Sequence, residues 1–156
     1  MKKKIHIISL GCPKNLVDSE VMAASLEDAG YIITTREEEG EILLLNTCAF
    51  ILPAKEESIE EILRLAQWKT VGKCSHLVVT GCLSQRYGEE IARELPEVDL
   101  FLGTDEVGRV AEHIRKLVTA PPTSQRCIIH PPSFLMTAVN RRQISTPFYS
   151  AYLKIA

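Results

Sequence analysis

The chain has 156 residues, of which 46% are hydrophobic and 24% are charged, and its formal net charge at pH 7 is −2. This length and composition are typical of a globular domain with a sizeable core. No stretch of the sequence approaches the roughly 20 consecutive apolar residues that a membrane span needs. Its basic residues are scattered and form no stripe of the kind that binds nucleic acid. We therefore interpret the chain as cytoplasmic, with no membrane contact and no nucleic-acid contact expected from this domain.

Apolar segments and amphipathic helical segments alternate along the first 118 residues. Five apolar segments predict strands at Ile5–Leu10, Tyr31–Thr35, Ile42–Thr47, Leu77–Thr80 and Val98–Leu102. Helices are predicted from about Leu16 to Ala29, Pro53 to Gln67, Ser84 to Leu95, and after Thr104. Strands that are almost continuously apolar are typical of a parallel sheet covered on both faces. The sequence thus predicts an α/β fold over residues 1–118, with a doubly wound, Rossmann-like, five-stranded parallel sheet.

The character of the chain changes after this predicted domain. Residues 119–132 are rich in proline and are predicted to form a linker, in which Cys127 is expected to be an incidental free thiol. Residues 133–156 are interpreted as the truncated start of a second domain, with a strand over residues 149–155. Arg141 and Arg142 are expected on its solvated surface.

Three of the five cysteines come directly after predicted strands. Cys12 ends SLGC, Cys48 ends LLNTC and Cys82 ends VVTGC. Parallel strands end at one edge of a sheet, which is where open α/β sheets bind ligands, so the three thiols are expected to converge there. Cys74 precedes a strand and is expected at the opposite edge. Each cysteine taken singly is more typical of a small buried residue, and only the repeated position indicates a shared ligand.

A set of three thiols narrows the choice of ligand. Structural zinc sites use four protein ligands, whereas an iron–sulfur cluster held by three cysteines would keep one iron open for chemistry. The neighbouring residues Asn15, Asn46 and Thr47 are candidates for orienting the cysteines through hydrogen bonds. Helix capping and turn formation explain these three residues equally well, and Asn15 is also a candidate cap for the first helix.

The segments SLGCPKNLVDSE, LNTCAFI and VTGCLSQR resemble the N-terminal domain of the methylthiotransferase family of radical S-adenosylmethionine enzymes. The closing TPFYSAYLKIA resembles the segment that leads into the radical domain of that family, so the resemblance covers about residues 4–118 and 141–156. It implies that Cys12, Cys48 and Cys82 bind an auxiliary [4Fe–4S] cluster. It also implies a second [4Fe–4S] cluster and S-adenosylmethionine, bound in a later domain through a C-x-x-x-C-x-x-C motif. This chain stops before that motif, so alone it is expected to be inactive, and no catalytic residue is assigned in it.

The residues after the first cysteine bear on the substrate. GCPKNLVDSE resembles the branch of the family that adds a methylthio group to the β-carbon of an aspartate in small-subunit ribosomal protein twelve. The alternative branch modifies adenosine in transfer RNA. A third reading, from another functional class, is a thiol-redox or nucleotide-binding α/β module without iron. Against it, the chain has no Gly-x-Gly-x-x-Gly after the first strand and no Cys-x-x-Cys pair.

Overall fold

A computed structural model describes residues 2–120, 125–137 and 139–155. Within these residues, six strands form one parallel sheet in the order β2-β1-β3-β4-β5-β6. The strands are β1 (Lys4–Ser9), β2 (Ile32–Ile33), β3 (Ile42–Thr47), β4 (His76–Gly81), β5 (Leu100–Leu102) and β6 (Cys127–Ile128). The chain first runs from β1 to β2 and then crosses back to β3 on the other side of β1. The gap between β1 and β3 is therefore the point at which the winding reverses, where doubly wound sheets bind their ligands.

Five α-helices connect or follow these strands. They are α1 (Pro13–Asp28), α2 (Leu52–Ala66), α3 (Trp68–Val71), α4 (Cys82–Glu94) and α5 (Val110–Thr119). Short 3₁₀ turns at Glu37–Glu39 and Thr104–Arg109 precede β3 and α5. In the part of the chain that the structure describes, no helix is both long enough and apolar enough to cross a membrane.

Helices cover both faces of the sheet, which gives the molecule two apolar cores. On one face, α1 and α5 contribute Val21, Leu26 and Ile114, which pack with strand residues such as Ile5 and Leu44. On the other face, α2 and α4 contribute Ile62, Leu65 and Leu83, which pack with Leu43, Leu77 and Phe101. Because β3 and β4 lie in the middle and face a core on each side, nearly all their residues are buried. The continuous apolar runs that predicted a parallel sheet have this physical origin.

The sheet has six strands, so the prediction of five was wrong. The additional strand β6 lies at residues 127–128, inside the segment predicted to be a linker, of which residues 121–124 lie outside the described residues. Its residues Cys127 and Ile128 pair with Phe101 and Leu102 of β5. A two-residue strand has no alternation that a sequence pattern could detect. Its position comes from backbone hydrogen bonds, in which the amides of Phe101 and Gly103 donate to Arg126 and Ile128 at 2.7 and 2.9 Å.

Three further predictions need correction. The first helix begins at Pro13 with Cys12 as its N-cap, so Asn15 lies inside the helix and is not the cap. Residues 149–155 form no strand, and residues 152–155 lie beside α1, where Lys154 Nζ contacts Asp18 Oδ1 at 2.9 Å. Arg142, expected in solvent, has a side chain that is only 18% exposed. The last two findings belong to one feature of the C-terminal segment, which is described below.

Candidate metal centre

The register of the sheet brings the three strand-end cysteines to one edge. Neighbouring strands pair Ser9 of β1 with Asn46 of β3, and Thr47 of β3 with Gly81 of β4. Cys48 and Cys82 each follow directly after one residue of the Thr47–Gly81 pair. Cys12 comes three residues after Ser9, beyond the turn at Gly11. The three cysteines therefore leave the sheet side by side at the point where its winding reverses.

The three thiols differ in exposure and in the element that positions them. Cys12 is exposed and caps the start of α1 with its carbonyl, which accepts from the amides of Asn15 and Leu16. Cys48 is buried, with 7% of its surface exposed, in the loop between β3 and α2. Cys82 is half-buried and is the first residue of α4. All five cysteines of the chain are free thiols, and Cys74 lies before β4, away from this edge, as expected.

Gly11 leaves the space that the Cys48 side chain occupies. Its φ of +84° is in the left-handed region that favours glycine. A Cβ atom added to Gly11 would lie 2.6 Å from Cys48 Cβ and 2.8 Å from Cys48 Sγ. Both distances are too short for any side chain, so the backbone before Cys12 passes directly against the thiol of Cys48. The SLGC turn and the Cys48 loop thus form one packed unit.

Gly81 plays a similar part between β4 and α4. Its φ is +96°, and a Cβ added there would lie 2.5 Å from both Asn46 Oδ1 and the Thr47 carbonyl oxygen. The absence of a side chain lets β4 turn sharply into α4 while it remains paired with β3. This turn places Cys82 beside the end of the strand that carries Cys48.

Three buried polar side chains tie these strand ends together. Asn15 Nδ2 donates to the carbonyls of Leu10 and Thr47 at 3.0 and 2.8 Å, which connects the ends of β1 and β3 through α1. Asn46 Nδ2 donates to the Asn15 carbonyl and to Ser19 Oγ, at 2.9 and 3.0 Å. Thr47 Oγ1 donates to the Thr80 carbonyl of β4 at 2.6 Å. These bonds act on the backbone that carries the cysteines.

Sequence reasoning missed two residues that hold the Cys48 loop. Ser58 of α2 is fully buried; its hydroxyl accepts from the Cys48 amide at 3.1 Å and donates to the Cys48 carbonyl at 2.8 Å. Arg86 of α4 donates from Nη1 to the Ala49 carbonyl at 3.0 Å. Arg86 is the last residue of VTGCLSQR, one of the segments that resemble the methylthiotransferase family, so that resemblance could have identified it. Ser58 is ten residues from Cys48 on a different element, and no local pattern marks it.

The electrostatics of the edge show that the three thiols interact. Burial raises the pKa of the Cys82 thiol, and negative charge on Cys48 and Cys12 raises that pKa further, whereas the Arg86 guanidinium lowers it. The proximity that opposes deprotonation in the free protein is the arrangement that a cationic iron cluster stabilises, since metal ligation requires thiolates. The N-termini of α1 and α4, which begin at or beside Cys12 and Cys82, add positive potential at the same place.

The donor set fits an iron–sulfur cluster. Three thiols on adjacent strand ends, with a glycine turn packed against one of them, match the soft ligands that such clusters use. Within the described ranges, no three His, Cys, Asp or Glu side chains form a group able to hold a single metal ion.

Comparisons with known proteins find relatives that share this region of the chain. A family model described as "Uncharacterized protein family UPF0004" matches residues 4–103, which include all three strand-end cysteines. The ribosomal protein uS12 methylthiotransferase RimO of Syntrophus aciditrophicus is 65% identical over 153 residues, which are 97% of this chain and 34% of that protein. The RimO proteins of Geobacter sulfurreducens and Heliobacterium modesticaldum are 52% and 51% identical, over 99% and 98% of this chain and 34% and 33% of their own lengths.

The chain therefore spans about a third of the length of the curated relatives it matches. The alignments with these relatives extend beyond the residues that the family model matches and cover almost the whole chain. Since the model itself covers most of the chain and all of the cysteine-bearing edge, the chain belongs to the Uncharacterized protein family UPF0004.

Proposed function

We propose that this chain is the auxiliary iron–sulfur domain of a methylthiotransferase, and that Cys12, Cys48 and Cys82 bind one [4Fe–4S] cluster. The observation that carries the proposal is the convergence of three thiols where the winding of the sheet reverses, on the ends of adjacent strands β1, β3 and β4. The names of the relatives, which are RimO methylthiotransferases, support it.

Different residues of this chain would bind the cluster and hold its ligands in position. Cys12, Cys48 and Cys82 provide thiolates, Gly11 keeps the space around Cys48 Sγ free, and Arg86 offsets negative charge near Cys82. Asn15, Asn46, Thr47 and Ser58 keep the three backbone segments in place, so that the ligands are preorganised before the cluster arrives. A cluster held by three protein thiolates would supply one iron that is open to an exogenous sulfur ligand. The exposure of Cys12 leaves that side of the edge accessible.

The intact protein is proposed to act on ribosomal protein uS12 in the cytoplasm, adding a methylthio group to the β-carbon of an aspartate. The relatives are named for that substrate, and GCPKNLVDSE resembles the ribosomal-protein branch of the methylthiotransferases. A second [4Fe–4S] cluster and S-adenosylmethionine are proposed for the rest of the protein. That chemistry needs a radical, because the C–H bond beside the aspartate carboxylate is too weakly acidic for a general base to remove its proton. We propose no nucleic-acid contact for this domain, whose net charge is −2.

Two experiments test the proposal. Anaerobic reconstitution with iron and sulfide, followed by metal analysis and Mössbauer spectroscopy, is expected to yield about four irons per chain in one cluster. Mass spectrometry of uS12 and transfer RNA from a strain without the gene is expected to show uS12 without its methylthio group and transfer RNA unchanged. Loss of the methylthio mass from transfer RNA, with uS12 unchanged, would assign the protein to the transfer-RNA branch. A reconstituted chain without iron would overturn the cluster assignment.

A further inference from the structure

The segment 141–154 runs along helix α1 in the opposite direction to the helix. Arg141 lies near the C-terminal end of α1, where its Nη1 and Nη2 contact Asp28 and Glu27 at 2.5 and 3.5 Å. Lys154 lies near the N-terminal end, where its Nζ contacts Asp18 Oδ1 at 2.9 Å. The intervening residues therefore span most of the length of the helix, although they form no helix or strand of their own.

Charge complementarity holds this segment in place. Arg141, Arg142 and Lys154 each pair with one or two carboxylates of α1. The Arg141 pairs are exposed, and pairs of that kind contribute little. The Asp18–Lys154 pair is better shielded, with side-chain exposures of 13% and 28%. Ion pairs therefore hold both ends of the segment, and the pair at Lys154 is less exposed to solvent than the pairs at Arg141.

Glu20 is the centre of the contact and has little solvent around it. Its side chain is 3% exposed, and its Oε2 lies 2.9 Å from Arg142 Nε. Its Oε1 accepts from the amide and from the hydroxyl of Ser145, both at 2.8 Å. Its backbone carbonyl accepts from the amide of Gln143 at 3.0 Å. A buried carboxylate is costly unless it is paired, so Glu20 requires this segment at this register.

The contact delivers the end of the segment to the cysteine-bearing edge. Residues Tyr152, Leu153 and Ile155 line an open surface pocket of about 150 Å³ together with Pro13 and Val17, among others. Pro13 follows Cys12 directly. The segment thus starts at the C-terminal end of α1 and ends close to Cys12, a proposed cluster ligand.

We propose that residues 141–154 are an electrostatic strap that belongs to the N-terminal folding unit and not to the domain that follows. Glu20 is its positioning residue, because its buried carboxylate contacts Arg142 and Ser145 while its backbone carbonyl accepts from the amide of Gln143. The strap holds residues 152–155 beside Pro13, which follows Cys12 directly. This inference does not depend on iron, since every contact that carries it joins two groups of the protein chain.

Hydrogen exchange of the whole chain, read by mass spectrometry, tests the strap. In the wild type, peptides that contain Gln143 and Ser145 are expected to be protected. Glu20→Ala is expected to raise the exchange of peptides that contain Ser145 about tenfold or more, because it removes the carboxylate oxygen that accepts from the Ser145 amide. The Gln143 amide keeps its acceptor, the backbone carbonyl of residue 20, and its exchange is expected to rise less. Glu20→Gln keeps an acceptor for Ser145 and is expected to give an intermediate increase. Glu60→Gln, a change at an exposed carboxylate of α2, is the matched control and is expected to have no effect.

A change on the strap itself separates the strap from the folding of α1. Arg142→Gln leaves every residue of the helix in place and is expected to raise exchange over 141–155, with β3 unchanged. Destabilisation of the entire domain by Arg142→Gln would also support the proposal, because a tail that does not belong to the folding unit cannot destabilise it. Unaltered exchange over 141–155 in both Arg142→Gln and Glu20→Ala would overturn it.

Discussion

Thr47 of β3 and Gly81 of β4 are paired in register, and each is followed immediately by a cysteine. This one relationship explains how residues 34 positions apart in the chain, Cys48 and Cys82, come to share a site. Thr47 adds to it a hydrogen bond from its hydroxyl to the Thr80 carbonyl at 2.6 Å, which fixes the two strand ends relative to each other. The pairing of β3 with β4 thus sets the spacing of these two proposed ligands, and the turns after the strands determine the final position of each thiol.

Removal of one proposed ligand is expected to abolish cluster binding. Cys82→Ala should lose most of the iron that the wild-type chain takes up on anaerobic reconstitution, because the cluster would keep only two protein thiolates. Cys74→Ala is the matched control, since Cys74 is a buried thiol at the other end of the strands and should leave the iron content unchanged. Wild-type Mössbauer spectra and iron content in Cys82→Ala would contradict the three-ligand site.

Gly11→Ala is expected to impair the site by overlap. An alanine Cβ at this position would meet Cys48 Cβ and Sγ at 2.6 and 2.8 Å, so the thiol must move. Gly30→Ala provides the comparison, because Gly30 has a similar φ of +93° and nothing within 4 Å of an added Cβ. Both variants should lose about 1–2 kcal/mol of stability from backbone strain. Only Gly11→Ala should lose more than that and show reduced iron uptake, as measured by chemical denaturation and iron analysis. Equal behaviour of the two variants would show that the contact with Cys48 is unimportant.

Asn15 is expected to contribute to stability through the strand ends. Asn15→Ala leaves the carbonyls of Leu10 and Thr47 without their donor and should cost about 1–3 kcal/mol in the free energy of unfolding. Asn15→Asp has nearly the same shape but directs a carboxylate at two carbonyl oxygens, so it should cost more than the alanine variant at neutral pH. Urea titrations of the three proteins give the comparison. An aspartate variant as stable as the wild type would rule out this donor role.

Glu37 is expected to make stability depend on acid pH. Hydrogen bonds from Arg64 and, to a smaller degree, from Trp68 hold the pKa of this carboxyl below its usual value of 4.5, despite partial burial. A carboxyl whose pKa is lower in the folded state adds stability above about pH 4.5, and this stability is lost as the pH falls through the lower value. The contribution should be no more than about 1 kcal/mol, because Arg64 is half exposed. The difference in unfolding free energy between wild type and Glu37→Gln should thus shrink between neutral pH and pH 3. A difference that stays constant would contradict this assignment.

Several features of this protein were determined by local sequence. The apolar run Ile42–Thr47 predicted β3 with its observed bounds, because a strand with both faces buried admits few polar residues. The cysteines could be assigned to strand ends for the same reason, as each follows such a run. Parallel strands then required a common edge, so the convergence of Cys12, Cys48 and Cys82 could be inferred without coordinates.

Other features were decided only by tertiary structure. Three of them join segments that are separated along the chain: the pairing of β6 with β5, the hydrogen bonds of Ser58 to Cys48, and the ion pair between Arg142 and Glu20. Asn15 also looked like a helix cap, although the structure uses its side chain to join β1 to β3. Apolar periodicity reports which residues are buried, because burial repeats with the geometry of a helix or strand. A hydrogen bond or ion pair between distant segments involves single residues, leaves no period in the sequence, and is specified only when the fold brings its partners together.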